Sequence, residues 1–371
     1  MNKSTEETSH FAILDGMRGI AAIFVFMYHC LIRFNAWCYG NQTDVIGMSM
    51  MAVDFFFMLS GFVLAYSYER KLQNGFEFKK FITLRIIRLS PMVVLSAFIG
   101  FMVIQSMALW VTGALDSNSL NDLILTIFMV PKALFGGQDM FPLNGALWSL
   151  FFEYIAYIGF ALLIIKLSDK QLFILCLFGF LGFMYWAFQS LGINSPKTDE
   201  PTMMGGLLRV LFCFPMGVYI FRIRNKITQA NIVVTIALIL SLILFFCLPR
   251  RLLPFWVYPL LFTLISPTLI IFASKHKISG NWLKSSNFLA DISFPLYVIH
   301  SPIIAFIGFF ANNIFHLEGN IAVITLCLAT IPSMIIISYL LAKYYDAPVR
   351  VKLKQAMERR WISKIVKTKT A

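Results

Sequence analysis

Ten apolar runs, most of them near 20 residues long, follow one another along the chain and limit its fold more than any other feature. The hydrocarbon core of a bilayer is about 30 Å thick and gives backbone groups no water to bond. Such runs therefore cross it as helices that satisfy their own N–H and C=O groups. They fall at about 12–33, 47–68, 90–112, 145–166, 171–189, 206–222, 231–248, 253–273, 288–310 and 320–343. The fold class that follows is all-α, a polytopic membrane protein of about ten transmembrane helices. Charge agrees with this. Only 13% of the 371 residues are charged and 59% are hydrophobic, whereas a soluble domain carries roughly 25% charged residues. The first run has no small-residue cleavage site and is read as a retained helix. No internal repeat and no attached soluble domain is expected, so the chain divides into a transmembrane domain, 1–345, and a basic cytoplasmic tail, 346–371.

Orientation follows from the lysines and arginines between the runs. With the N-terminus in the cytoplasm, 24 of the 31 fall on the inner side and four on the outer: Lys132, Lys197, Arg250 and Arg251. Both termini are thus expected to be cytoplasmic. The net charge of +13 reflects topology and attraction to anionic lipid, which removes nucleic acid as a partner. The short apolar stretch Ser119–Pro131 would turn every later loop over if it crossed, so it is expected to stay outside as an interfacial or re-entrant segment. The six cysteines are scattered, and no spacing suggests a metal site or a disulfide framework; no metal is expected.

Against this apolar background the ionisable residues inside the runs stand out, because a charge at membrane depth costs several kcal/mol unless it faces partners or a water-filled cavity. In "LDGMRGIAAIFVFMYHC" Arg18 and His29 are eleven residues apart. At 3.6 residues per turn they share a helix face, about 16 Å apart along the axis. Asp15 lies on the same face and can pair with Arg18, and Gly16 and Gly19 admit a close neighbour, helix or ligand. Asp54, Glu153 and His300 fall in the outer halves of three other runs, at depths similar to His29. Arg85 and Arg88, at i and i+3, present two guanidiniums at the inner mouth of the third run, in a form that suits phosphate oxygens or plain positive-inside anchoring.

At these residues the sequence resembles the acyltransferase-3 family of integral membrane acyltransferases. The resemblance rests on the Arg18–His29 spacing in its context, on "VDFFFMLSGF" (Val53–Phe62), "RIIRLSP" (Arg85–Pro91) and "WSLFFE" (Trp148–Glu153), and on "RVLFCFPMGV" (Arg209–Val218) and "SFPLYVIH" (Ser293–His300), in that order. It implies an O-acyltransferase in the cell membrane, the bacterial inner membrane in particular. Acetyl-CoA would be the cytoplasmic acyl donor and a hydroxyl of a surface glycan, such as O-antigen, capsule or exopolysaccharide, the acceptor. Succinyl in place of acetyl and homo-oligomerisation stay open. The family often has a Glu-x-Pro motif after the last helix, where this chain has Asp346 and Pro348.

The resemblance also implies roles. Arg85 and Arg88 hold the donor's phosphates, and Arg18 binds the donor deeper in or shapes the channel with Asp15. His29 acts as general base or carries the acyl group itself, with Glu153 or Asp54 orienting its ring. Trp148, Tyr297 and His300 line the acceptor side. Structural roles compete with these: an interfacial belt for Trp148, a kink at Pro295 and Tyr297, a buried hydrogen bond for His300 and an ion pair for Asp54. From a different class of protein, an ion-coupled transporter would use the same His and carboxylate residues as a proton relay. Inverted repeats, which that reading favours, are not evident.

Overall fold

The computed structural model describes residues 11–40, 45–136, 139–189, 200–226 and 230–369; Lys3 and Lys197, which enter the topology argument, lie outside them. The chain is helical, with no strand among the described residues. In order the helices are α1 (Ala12–Trp37), α2 (Ala52–Leu64), α3 (Phe78–Thr112), α4 (Ser119–Ile127), α5 (Trp148–Leu162) and α6 (Asp169–Gln189), followed by α7 (Glu200–Ile223), α8 (Ile232–Phe246), α9 (Val257–Ala273), α10 (Gly280–Asn313), α11 (Gly319–Leu341) and α12 (Ala347–Lys369). A 3-10 turn leads into α2, and a π-helical turn, Ala65–Glu69, carries it on to Gln73.

Eight of these are long and apolar enough to span a bilayer. The seventh and eighth expected crossings are α8 and α9, which have 15 and 17 residues. At 1.5 Å per residue they measure about 22 and 26 Å, short of the ~30 Å core. Non-helical backbone near their ends is satisfied within the protein, as membrane depth requires. Tyr258 donates its hydroxyl to the Pro249 carbonyl at 2.5 Å and accepts from the Leu253 amide at 2.9 Å. Ser49 and the Met48 amide bond the carbonyls of Phe246 and Leu248. The Ser119–Pro131 stretch forms the nine-residue helix α4, packed on α3 through Ala97, Leu123 and Leu143. The basic tail is itself helical: α12 continues α11 through a second π-helical turn.

Two parallel helix pairs frame the interior. In the first, α1 lies along α10 in step: Gly16 faces Ser286, Gly19 faces Leu289, and Trp37 lies against Gly308. A Cβ on Gly19 would fall 2.3 Å from the Leu289 carbonyl oxygen, so this seam closes only around a glycine. The neighbour that Gly16 and Gly19 admit is therefore a helix. In the second pair, α2 crosses α7 at Gly61 and Gly217, and a Cβ on Gly217 would sit 1.9 Å from the Met58 carbonyl oxygen. Buried ion pairs flank that crossing. On one side Arg209 grips Asp54 through Nε at 2.9 Å and Nη2 at 2.8 Å. On the other, Arg222 holds Glu69 at 2.5–2.8 Å and the carbonyl of Leu167 at 2.7 Å. Parallel partners need an odd number of crossings between them in a two-sided membrane, a condition the ten-crossing order meets for both pairs.

Proline leaves its own mark on α10. Pro302 has no N–H for the carbonyl of Val298, four residues back. Asn144 supplies the missing donor, its Nδ2 meeting Val298 O at 2.7 Å while its Oδ1 caps the turn into α5 at the Ala146 amide, 3.1 Å away. One side chain thus fixes the start of α5 against the middle of α10.

Gly217→Val should lower the melting temperature in detergent by several degrees or prevent accumulation of folded protein, whereas Gly159→Ala, which meets nothing within 4 Å, should leave it unchanged; fluorescence-detected gel filtration after heating measures both. Arg209→Leu should destabilise by about 3–5 kcal/mol, because it strands the Asp54 carboxylate, and adding Asp54→Leu should recover much of that loss.

Candidate active site

Five helices enclose a cavity of about 330 Å³. Helix periodicity explains its lining. α1 contributes Leu14, Asp15 and Arg18; α2 and its π-helical continuation contribute Val53, Phe56, Ser60, Val63 and Ser67, which recur every three to four residues; α5 contributes Ser149, Glu153 and Tyr157. Arg85 and Arg88 of α3 and Ser293 and Tyr297 of α10 complete it. Five of the nine candidates drawn from the sequence, Arg18, Arg85, Arg88, Glu153 and Tyr297, thus line one space.

The guanidiniums differ in how far they are satisfied. Arg18 reaches across the α1–α10 seam to Ser293 Oγ, 3.1 Å from its Nε, and pairs with Asp15 at 3.5 Å. Arg85 lies over the Tyr68 ring, 4.7 Å from its centre, and donates to the Tyr68 hydroxyl at 3.0 Å, yet its Nε is buried with no partner. Arg88 has no hydrogen-bond or ion-pair partner among the described residues. One wall of the cavity therefore carries donors still open to an anion.

On the facing side Glu153 accepts hydrogen bonds from Ser60, at 2.8 Å, and from Tyr157, one turn along α5. Tyr297 closes the far end of the cavity. Its hydroxyl lies 2.6 Å from Ser149 Oγ and 3.2 Å from the Ala146 carbonyl.

His29 and His300 lie beyond that wall and are not among the lining residues. Their rings are 4.9 Å apart, centre to centre. Each is anchored the same way: His29 Nδ1 lies 2.8 Å from the Val25 carbonyl and His300 Nδ1 lies 2.7 Å from that of Tyr297. A carbonyl only accepts, so Nδ1 carries the proton in both neutral rings and Nε2 carries the lone pair. His29 keeps partial exposure, while His300 is fully buried and its Nε2 has no partner.

This arrangement corrects the expected partnership between His29 and a carboxylate. Asp54 is held on both oxygens by Arg209, and Glu153 is held by Ser60 and Tyr157. The side-chain depths explain it. Ser149 meets Tyr297; Glu153 lies one turn from Ser149 towards the arginines, and His300 one turn from Tyr297 the other way. The carboxylate and the histidine pair are therefore about 11 Å apart along the bundle. The four outer ionisable groups form three separate sets instead of one cluster. Trp148 belongs with Asp54: it is buried under the Arg209 guanidinium, 5.1 Å from its ring centre, and lines no part of the cavity. Asp346, buried behind the cavity, pairs with Arg350 at 2.9 Å.

Sequence reasoning passed over Arg209, Ser60, Ser149, Tyr157 and Ser293. Arg209 had a usable signal, since an arginine and an aspartate inside two apolar runs have every reason to find each other. Tyr157, four residues after Glu153, had the spacing of a helical pair. The serines had none.

The comparisons with known proteins agree with one another. The acyltransferase-3 family model, described as an acyltransferase domain, matches residues 11–343. "Protein 2 in picA locus" of Rhizobium radiobacter is 36% identical over 168 residues, covering 42% of this chain and 82% of that protein. Proteins of Staphylococcus aureus strains COL and MSSA476, each named "Putative O-acetyltransferase", are 26% identical over 373 residues and cover 91% of this chain. The chain spans 57% of the length of those two relatives. No solved structure matches it. With the family match extending over nearly every helix that builds the cavity and the histidine pair, the chain belongs to the acyltransferase-3 family.

Proposed function

We propose that the protein moves an acyl group, acetyl in the first instance, from cytoplasmic acyl-CoA to a hydroxyl of a surface glycan such as O-antigen, capsule or exopolysaccharide. The observation that carries this reading is a polarity within one bundle. Open guanidiniums line one end of a cavity, and a histidine with a bare Nε2 lies one turn past its other end. Arg88 and the unpartnered Nε of Arg85 suit the donor's phosphates. The cavity, at the small end of ligand pockets, suits the extended thioester arm better than a whole nucleotide, so the anionic head stays at the mouth. The basic side of the bundle is the cytoplasmic side in this reading, and the membrane is the bacterial inner membrane.

In the reaction, His29 Nε2 takes the proton from the acceptor hydroxyl as the oxygen attacks the acyl carbonyl carbon. The carbon–sulfur bond breaks, the electron pair leaves with sulfur, and the proton held by His29 ends on the CoA thiol. The Val25 carbonyl keeps the imidazole in the tautomer this step needs. The names of the S. aureus relatives support acetyl as the group and oxygen as its acceptor atom.

Purified protein in liposomes, given labelled acetyl-CoA outside and a purified glycan at the opposite face, should label the glycan. His29→Ala should cut that rate about 10²–10⁴-fold, the worth of a general base, with the melting temperature unchanged. Arg88→Ala should raise the KM for acetyl-CoA about 10-fold or more, since a hydrogen bond to a charged group contributes roughly 1.5–3 kcal/mol. Full transfer by the His29 variant would refute the assignment of the base. Solute movement without acetyl-CoA consumption would favour a carrier instead.

A further inference from the structure

The outer side of the bundle is poor in basic residues, yet it keeps guanidiniums beside His29. We propose that Arg33 and Arg250 form the acceptor site for an acidic glycan, one whose sugars carry a carboxylate or a phosphate. The inference rests on the acyl-transfer reading above and names the class of its acceptor.

The distribution of charge points there first. In the orientation set by the lysines and arginines, the basic residues of the outer surface are Arg33, at the end of α1, with Lys132, Lys197, Arg250 and Arg251 in the loops. Lys132 is neutralised by Asp122 at 2.7 Å. Arg33 and Arg250 gather round one place instead. Arg33 lies one turn beyond His29 on α1, is exposed, and has no hydrogen bond or ion pair among the described residues. It is close enough to act electrostatically on both His29 and His300. Arg250 stands over the Tyr28 ring, 5.6 Å from its centre, and that ring meets the His29 ring edge-on at 5.3 Å.

The loop that carries Arg250 is held in place. Buried Tyr258 bonds the Pro249 carbonyl just before it and the Leu253 amide just after it. The Met48 amide holds the Leu248 carbonyl at 3.0 Å. The main chain is therefore fixed on both sides of Arg250.

Chemistry then selects the ligand. Charge of one sign at a mouth raises the local concentration of the opposite sign. Guanidinium forks suit the paired oxygens of carboxylate and phosphate. One helical turn separates Arg33 from His29, about 6 Å along the axis, a span comparable with one sugar ring. The hydroxyl that reaches His29 then belongs to the charged sugar or to its neighbour. A neutral glycan leaves the cations without an anion, so the site discriminates by charge.

The test uses the full chain in phosphatidylcholine nanodiscs and reads how fast diethyl pyrocarbonate modifies His29, by mass spectrometry. Three probes compete with the reagent: a glucuronate-containing oligosaccharide, its carboxyl-reduced form and a glycerol-phosphate-bearing oligosaccharide. At least one charged probe should protect His29 at a concentration on the order of ten-fold below that of the reduced form, the worth of a hydrogen bond to a charged group. Which charged probe protects better separates carboxylate from phosphate. Arg33→Gln should remove most of that advantage and leave protection by the reduced form unchanged, Arg33→Lys should recover part of it, and both should melt like wild type. Equal protection by charged and reduced probes, an undiminished advantage in Arg33→Gln, or no protection by any probe would each overturn the site. Protection of His29 by phosphatidylglycerol in the nanodisc, with no further effect of the oligosaccharides, would make Arg33 a lipid anchor and overturn it as well. Labelled acetyl-CoA tests the reading beneath it separately: transfer only to neutral glycans would leave acyl transfer standing without the acidic acceptor, and no transfer to any glycan would remove both.

Discussion

The parallel seam between α1 and α10 is the contact on which the rest of the arrangement depends. It is narrow because Gly16 and Gly19 present no side chain to α10, and it is in step because the contacts repeat along it from Gly16 and Ser286 to Trp37 and Gly308. Narrowness puts the Arg18 guanidinium within reach of Ser293, on the neighbouring helix. Register then carries the relation eleven residues further, where the next polar residue on that face of α1, His29, meets His300. In a membrane, helices gain little from hydrophobic burial against one another, so close packing of this kind largely decides which faces meet. The two functional-looking ends of α1 are therefore linked mechanically: a larger residue at position 19 would disturb both the cavity wall and the histidine pair.

The same economy governs the charges. Arg209 and Arg222, on α7, are each closed by a carboxylate, Asp54 on α2 and Glu69 on its π-helical continuation, and by main-chain carbonyls, and neither lines the cavity. Together with the glycine crossing between them they hold α2, which supplies a long strip of the cavity wall. Buried pairs like these contribute little net stability against an apolar alternative, but breaking one leaves a stranded charge, so they define the pairing of the helices strictly. Asp54 and Glu69 serve the frame.

Much of this was legible in the sequence, and the boundary is physical. Apolar runs are a one-dimensional signal, and all ten correspond to helices; the two short ones, α8 and α9, differ from expectation only in length, because their ends are satisfied by Tyr258, Ser49 and neighbouring backbone in place of lipid-spanning helix. The common face of Arg18 and His29 was equally readable, since a single helix fixes it. Depth could be read too, but only to within a turn, which left open whether Asp54, Glu153, His29 and His300 face one another. A turn is enough to send Glu153 to the arginines and leave His29 with a histidine. Which helix faces which is a long-range property, set here by glycines and by Asn144 replacing the donor that Pro302 lacks. Nothing within one run of sequence reports it.

The contrast among the arginines bears on how a membrane enzyme can keep a binding site and a stable fold in one residue type. An arginine in an apolar setting is normally neutralised, and Arg209 and Arg222 are. Moving towards the cavity, satisfaction falls: Arg18 has a half-exposed aspartate and a serine, Arg85 has an aromatic face and a hydroxyl with one N–H left over, and Arg88 has no hydrogen bond or ion pair among the described residues. A fully paired guanidinium could bind a phosphate only by giving up its carboxylate, which would cancel most of the gain. Leaving Arg88 without an ion pair moves that cost into the unliganded state. In the proposed reaction the donor's phosphates complete the pairing that the fold withholds.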